Sequence, residues 1–512
     1  GALRPDLRLI AMSATLDGAR FCDMLGQCPV VESEGRSHAL TLRHVGRSAV
    51  NSIEDDVART IRAAMRDEPV GDILAFLPGV REIERVAERL ADTRCAILPL
   101  HGQLDPAAQR AALRADDDGR RKVILATSIA ETSLTIDGVR IVVDSGLARR
   151  ARFDVAAGAT RLVTERASQA AATQRAGRAA RQQPGVAYRL WEEAASGGMM
   201  RFDPPEILDA DLAALLLDCA AWGEHDPARL RWLDVPPAAA LGEARRRLLA
   251  MGALDDRGGL TAHGRAVAAL PLPPALAHMV LTGAMVGQGD VAAGLAMLLT
   301  ERGLGGRDAD VAQRYDRWQR ERGARADAAR AASRRWADAA RAAARGLAPA
   351  ALPGGHDGDR HGLIAWLVAM AFPDRVARRR GASAQDWQSV GGRGYRLDPA
   401  SPIASAQWIA IADAQGAAGG ARIMAAAVMD DALVDAWVDA HARTRRTARY
   451  DRAADRVEAM RERALGAITL SRGVDPDGGD PADLLLQAVR DEGVGVLPWG
   501  DAAQRLRGRG AY

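Results

Sequence analysis

An apolar run, a polar loop and a second apolar run follow one another between Val123 and Val143, and this stretch limits the possible folds most tightly. Val123-Ile-Leu-Ala126 leads into Thr127-Ser-Ile-Ala-Glu-Thr-Ser-Leu-Thr-Ile-Asp-Gly138, which leads into Val139-Arg-Ile-Val-Val143. Strand, polar loop, strand is the order an α/β sheet needs to present a loop at the carboxyl ends of its strands. Further strands are expected at Asp72–Phe76 and Ala96–Leu100. Thr, Ser, Glu and Asp in such a loop can bond a nucleic-acid backbone on one side and a nucleotide sugar on the other.

Just downstream stands Gln174-Arg-Ala-Gly-Arg178-Ala-Ala-Arg181, three arginines at i, i+3 and i+6. An Arg-rich helix is most often a solvated face. Yet arginine keeps its charge and forks onto phosphate oxygens, so a helix start carrying this run suits a nucleotide whose charge is shifting. Composition advises some discount: all but one of the 69 basic residues are arginine, which reads as the codon bias of a GC-rich bacterial genome. A net charge of +3 permits nucleic-acid binding without indicating it. Hydrophobic residues make up 48% and aromatics 4%, so cores must be built from Ala, Leu, Val and Ile. At 512 residues there is room for three or four domains.

The four cysteines (Cys22, Cys28, Cys95, Cys219) lack metal-ligand spacing, and no metal site is expected. Cys22 and Cys28 could bridge in an oxidising compartment; free cytosolic thiols are the favoured reading. No signal peptide or membrane-spanning apolar run is visible.

These stretches together resemble the superfamily 2 helicases. Residues 174–181 are similar to their motif VI, QRxGRxGR, departing only at Ala180, where the pattern has glycine. Residues 127–138 resemble motif V of the DEAH-box group. Ser13-Ala14-Thr15 looks like motif III, Phe76-Leu-Pro-Gly79 with Arg81-Glu-Ile-Glu84 like motif IV, and Leu100-His-Gly-Gln-Leu104 like the adjoining LHGxL segment. Ala371-Phe-Pro-Asp-Arg-Val376, Arg378-Arg-Arg-Gly381, Gly394-Tyr-Arg-Leu397, Trp408-Ile-Ala-Ile-Ala-Asp413 and Leu497-Pro-Trp499 are similar to the bacterial HrpB group of that family.

The resemblance implies an α/β RecA-like motor domain, then a winged-helix domain, a helical bundle and a small β-rich C-terminal module with an OB-like form as one option. Its expected boundaries are 1–33 for the end of a first RecA-like domain and 34–195 for the second. A winged helix would follow over 196–269, a ratchet-like bundle over 270–345, a linker over 346–360 and the HrpB-type region over 361–512. Residues 307–345, with Trp318 and Trp336, read as one long solvated helix or as a basic face beside a nucleic-acid channel.

The implied activity is ATP-dependent movement along RNA, with ATP and Mg2+ as cofactors and RNA, single-stranded or with an overhang, as partner. DNA is a further candidate, and a cytoplasmic monomer away from any membrane is expected. Arg178 and Arg181 would be arginine fingers and Gln174 would position the γ-phosphate or the attacking water. Asp137, Gly138, Ser13 and Thr15 would face the nucleotide. Thr127, Glu131, Thr132, His101 and Gly102 would hold the strand, and Arg149, Arg150 and Arg152 would bring charge to phosphates from a hairpin spanning about 149–164.

A P-loop needs GxxxxGK[ST], but the single lysine, Lys122, is followed by Val123, and neither Asp67-Glu68 nor Asp491-Glu492 continues as a DEAH box. The expectation is a piece of a longer protein, unable to hydrolyse ATP alone. The competing reading is a nucleic-acid-binding fragment without catalysis. An unrelated small-molecule α/β enzyme has no dyad or cofactor loop to support it.

Overall fold

The structure, a computed structural model, describes the chain except residues 1–7, 9, 11, 13–17, 27, 32–37, 103, 105, 115, 117–118, 132–135, 155–158, 302, 349–358, 382–384, 417–419, 452–455, 476–481, 483–485, 487–488, 491–492, 494–496, 498 and 511–512. Ser13, Thr15 and Thr132, together with most of the 346–360 linker, lie outside the described residues. Two compact units emerge: residues 1–212 with 227–242, and residues 213–226 with 243–512.

The first unit runs α1 (Gly18–Leu25), β1 (Leu40–His44), α2 (Ile53–Asp67), β2 (Asp72–Phe76), α3 (Val80–Arg89), β3 (Ala96–Leu100), α4 (Pro106–Leu113), β4 (Lys122–Ala126) and β5 (Val139–Asp144). It continues with β6 (Leu147–Asp154), β7 (Ala159–Arg166), α5 (Gln169–Gly177), β8 (Gly185–Arg189) and α6 (Glu206–Asp209). Six strands form one sheet in the order β1-β8-β5-β2-β4-β3, every neighbouring pair parallel. Side chains alternate across it. Ile73 and Ala75 of β2 join Val57, Ile61, Ile83 and Val86 on one face. Leu74 and Phe76 join Ala176 and Ala179 on the other. Coverage on both faces explains why β4 and β5 are mostly apolar.

Helix starts follow their caps. Ser168 holds a β conformation and its hydroxyl accepts from Ala171 N at 3.0 Å, fixing the start of α5. The motif VI arginines were expected at a helix start; they fall at its end. Arg175 is in the last turn, Arg178 is the C-cap, and the chain turns through Ala179 and Ala180 towards β8. Past the helix end the turn must reach Gly185, where an added Cβ would lie 2.1 Å from the Ala179 carbonyl oxygen. That close approach leaves glycine as the residue that fits.

The second unit begins with α7 (Ala213–Ala221), and α8 (Ala238–Ala250) leads into it. A Leu254–Leu260 bridge follows, then α9 (Ala262–Ala268), capped by Thr261. Strand pairing in this stretch is confined to that bridge, and residues 262–268 are helical. Then come α10 (Pro274–Met285), α11 (Gly289–Thr300), α12 (Val311–Arg320) and α13 (Ala324–Ala343). The single long helix weighed for 307–345 is instead two, broken where Gly323 adopts φ +126°. Trp318 is fully buried. Alanine and glycine let these helices approach closely: a Cβ on Gly283 would lie 2.4 Å from that of Ala292.

After α14 (Arg360–Ala371) come β9 (Val376–Arg379), β10 (Asp386–Ser389), β11 (Gly394–Arg396), β12 (Trp408–Gln415) and β13 (Ala421–Val428), closed into a barrel. Trp387, Tyr395, Ile409, Ile411 and Ile423 fill it. The β-rich module is therefore present. Beyond α15 (Asp431–His441), β14 (Arg443–Asp451), β15 (Arg456–Leu465) and β16 (Ile468–Val474) form a separate antiparallel sheet, and α16 (Asp501–Gly510) follows. The β15–β16 turn docks on the barrel: Ala467 N donates to Val390 O at 2.8 Å. Gly466 there has φ +55°, and a Cβ would meet the same carbonyl oxygen at 2.3 Å. No helix among the described residues is long and apolar enough to cross a membrane.

Candidate functional site

The carboxyl ends of β2 and β5 meet at Arg175, a residue to which the sequence reading assigned no role. Its guanidinium is almost wholly buried, with Nε on Glu131 Oε1 at 2.7 Å, Nη2 on the same oxygen at 2.6 Å and Nη1 on Asp144 Oδ1 at 2.9 Å. Nη1 also donates to Leu147 O at 3.1 Å, and the guanidinium carbon lies 5.1 Å from the Phe76 ring centroid. Burial opposes its charge, but Asp144 and Glu131 outweigh burial and raise its pKa above the ordinary arginine value. Arg175 thus ties the motif V loop, the end of β5 and the start of the hairpin to α5. The run of arginines hinted at it, and its burial on an alanine-lined helix face separates it from its neighbours.

Arg178 is nearly buried and donates through Nε to Glu131 O at 3.1 Å, with a second, short bond from Nη2 to the same oxygen. Burial and the nearby Arg181 guanidinium lower its pKa, against the opposing pull of Glu131. Arg181 is exposed, as is Gly177, where an added Cβ would meet nothing within 4 Å. Gln174 is half-buried on α5. Past Arg181, Gln182 donates from Nε2 to Asp137 Oδ1 at 3.0 Å and accepts from Gly138 N at 3.3 Å. This glutamine joins the segment after motif VI to the end of motif V, and no motif in the sequence flagged it. Gly138 itself has φ +86°.

On the motif V loop, Thr127 is half-buried with its N–H on Leu100 O at 3.2 Å. Glu131 was expected at the nucleic-acid strand; its carboxylate points inward to Arg175 and its carbonyl holds Arg178. Buried arginines draw the nearest acid, so the side chain serves the fold. His101, at the carboxyl end of β3, is buried, and burial lowers its pKa despite the pull of Glu84. Gly102 beside it is exposed, with open space where a Cβ would stand.

The hairpin exists as β6–β7, with Arg149 opposite Thr164, Arg150 opposite Val163 and Arg152 opposite Arg161. The three arginines expected to face phosphates are turned to carboxylates. Arg149 bonds Glu82 at 2.8 Å and Thr164 Oγ1 at 3.1 Å. Arg150 pairs with Glu165 at 3.3 Å and closely with Asp203; Arg152 pairs with Glu165 at 2.7 Å and Asp209 at 3.7 Å. On the same hairpin, Arg161 and Arg166 are exposed. The expected tip, 155–158, is outside the described residues.

The parallel six-stranded sheet, with a polar loop and an arginine-rich helix end at its strand ends, falls largely within residues 56–183, which match the helicase conserved C-terminal domain. The likeness extends much further. The chain is 39% identical to the ATP-dependent RNA helicase HrpB of Escherichia coli strain K12 over 528 residues, covering 99% of this chain and 60% of that protein. The crystal structure of the E. coli DExH-box NTPase HrpB superposes with a TM-score of 0.79 at 37% identity, covering 99% of this chain and 60% of that one. The pre-mRNA-splicing factor ATP-dependent RNA helicase prp22 of Schizosaccharomyces pombe is 35% identical over 324 residues, 61% of this chain and 28% of that one. The expected resemblance to the HrpB group is borne out, as is the RecA-like fold with its β-rich C-terminal module. This chain spans about three fifths of the length of HrpB.

Proposed function

We propose that this chain forms the second motor domain and C-terminal region of an ATP-dependent RNA helicase of the DEAH type. The observation that carries the reading is the cluster of Arg178, Arg181, Asp137 and Gly138, in which Gln182 links the last two to the arginine segment. Two neighbouring guanidiniums beside open glycine backbone fit the phosphates of a nucleotide. Mg2+ would accompany the nucleotide, with its ligands mainly from a motor domain outside these 512 residues.

In this reading ATP supplies the free energy and the chain's residues bind and orient it. Arg181 reaches the phosphates from the surface, and Arg178 is held at readiness by the Glu131 carbonyl. Asp137 accepts a hydrogen bond from the ribose. Gln174 orients the terminal phosphate or the attacking water. Thr127, Thr132, His101 and Gly102 line the RNA strand's path, and residues 196–269 form a winged helix. P-loop and DEAH box would come from a domain outside these 512 residues, and the chain alone would not hydrolyse ATP.

The test is RNA-stimulated ATP hydrolysis in this chain and in a version extended upstream through a P-loop and DEAH box. Turnover is expected only in the extended protein, and Arg178→Ala there should lower it about a thousandfold while RNA affinity is kept. Undiminished turnover in the Arg178→Ala protein would sink the assignment.

A further inference from the structure

The sheet β14–β16 carries an exposed face with an unusual electrostatic make-up. Directly opposed residues of antiparallel strands share a face, and so do alternate residues of one strand. Arg446 stands opposite Arg461, Thr444 opposite Arg463, Arg463 opposite Ser471, and Arg461 opposite Gly473. Thr444, Arg446, Arg461, Arg463, Ser471 and Gly473 therefore lie on one face, every one of them exposed and none acidic. In a chain of net charge +3 this is a local concentration, not a background.

Like charges placed directly opposite one another destabilise a sheet. The Arg446–Arg461 pair bears that cost with partial compensation from the rim: Arg446 is 3.4 Å from Asp475, and Arg463 is 2.8 Å from Asp439 at the end of α15. Asp475, two residues past Gly473, closes one end of this face, Asp439 lies outside the sheet, and Arg461 meets no carboxylate among the described residues. Hydroxyls at Thr444 and Ser471 add donors, and Gly473 leaves open space where a Cβ would stand. The face does not swing freely, because the Gly466–Ala467 turn fixes β15 and β16 to the barrel.

We propose that this face binds the phosphodiester backbone of an RNA strand, as a second RNA contact distinct from the motif V loop. Arg461 and Arg463 are roughly 7 Å apart along β15, comparable with the step between phosphates on an extended strand. Arginine forks bind phosphate bidentately, and the missing base-edge readers make the contact independent of sequence. The choice of RNA among polyanions rests on the helicase reading; the existence of an anion-binding face does not.

Anisotropy of a labelled oligouridine, titrated with the full 512-residue chain over a range of salt concentrations, tests this. The triple variant Arg446→Ser, Arg461→Ser, Arg463→Ser is expected to bind about tenfold more weakly and to flatten the log–log salt slope by about 2, some 0.7 per lost phosphate contact. The corresponding triple lysine variant, which keeps the charge, should stay within about threefold of the unaltered chain. Serine variants that bind as tightly as the unaltered chain overturn the proposal. So does an equal loss in the lysine variant, which would reveal a structural role. Phosphatidylglycerol vesicles form the last arm: capture that needs the three arginines, with RNA affinity untouched, assigns the face to lipid and overturns the RNA contact. The helicase reading fails separately, by absent turnover in the upstream-extended protein, and leaves these titrations interpretable.

Discussion

In the hairpin β6–β7, Arg149, Arg150 and Arg152 each meet at least one carboxylate, drawn from as far away in sequence as Glu82 and Asp203. In the sheet β14–β16, Arg446 and Arg461 face each other, with Asp475 beside Arg446 at 3.4 Å and no described carboxylate on Arg461. Both elements are short antiparallel strands rich in arginine, and in sequence the hairpin is the better candidate for phosphate contact. Their ion pairs argue for the opposite ranking. A guanidinium already forked onto carboxylates must give up those bonds before it can take a phosphate, whereas one facing its own kind gains by the arrival of an anion.

The contrast is tested most severely at its paired extreme, Arg175. Arg175→Ala leaves Asp144 and Glu131 buried without their cation, and should cost about 3–5 kcal/mol in the urea unfolding of the first unit. A loss under about 1 kcal/mol would show that buried pairing is not what positions these arginines. Arg150→Ala is expected to cost about 1 kcal/mol, since Arg152 remains on Glu165, and to leave RNA affinity within about twofold. A large loss of RNA affinity without a loss of stability would break the distinction between hairpin and sheet. Arg461→Ala should show the converse, a stability change within about 0.5 kcal/mol and a several-fold weaker RNA complex.

Much of the motor fold was legible. The strands β2, β3, β4 and β5 fall within a residue of their expected places because strands covered on both faces are mostly apolar. The hairpin was legible from two extended runs about a glycine-containing loop. The partners of its arginines were not, because Arg149 and Glu82 are 67 residues apart and no local pattern encodes such a pair. The motif VI run announced its chemistry but not its place: the cap at Ser168 and the tight packing at Gly185 set where α5 ends, and neither lies in the motif. The sheet β14–β16 escaped notice altogether. Arg443-Thr-Arg-Arg446 and Arg461-Glu-Arg463 are polar on both faces, so period-two hydropathy had nothing to detect.

Lys122, the one lysine of the chain, opens β4 almost wholly out of solvent, its Nζ 3.5 Å from Asp72 and bonded to the Arg114 carbonyl. The folded surface consequently offers amine-directed reagents no lysine side chain, and acylation at Nζ must wait until this end of the sheet opens. The rate at which that one lysine is labelled is therefore a built-in clock for local opening of the first unit, read from one peptide with no other lysine to compete.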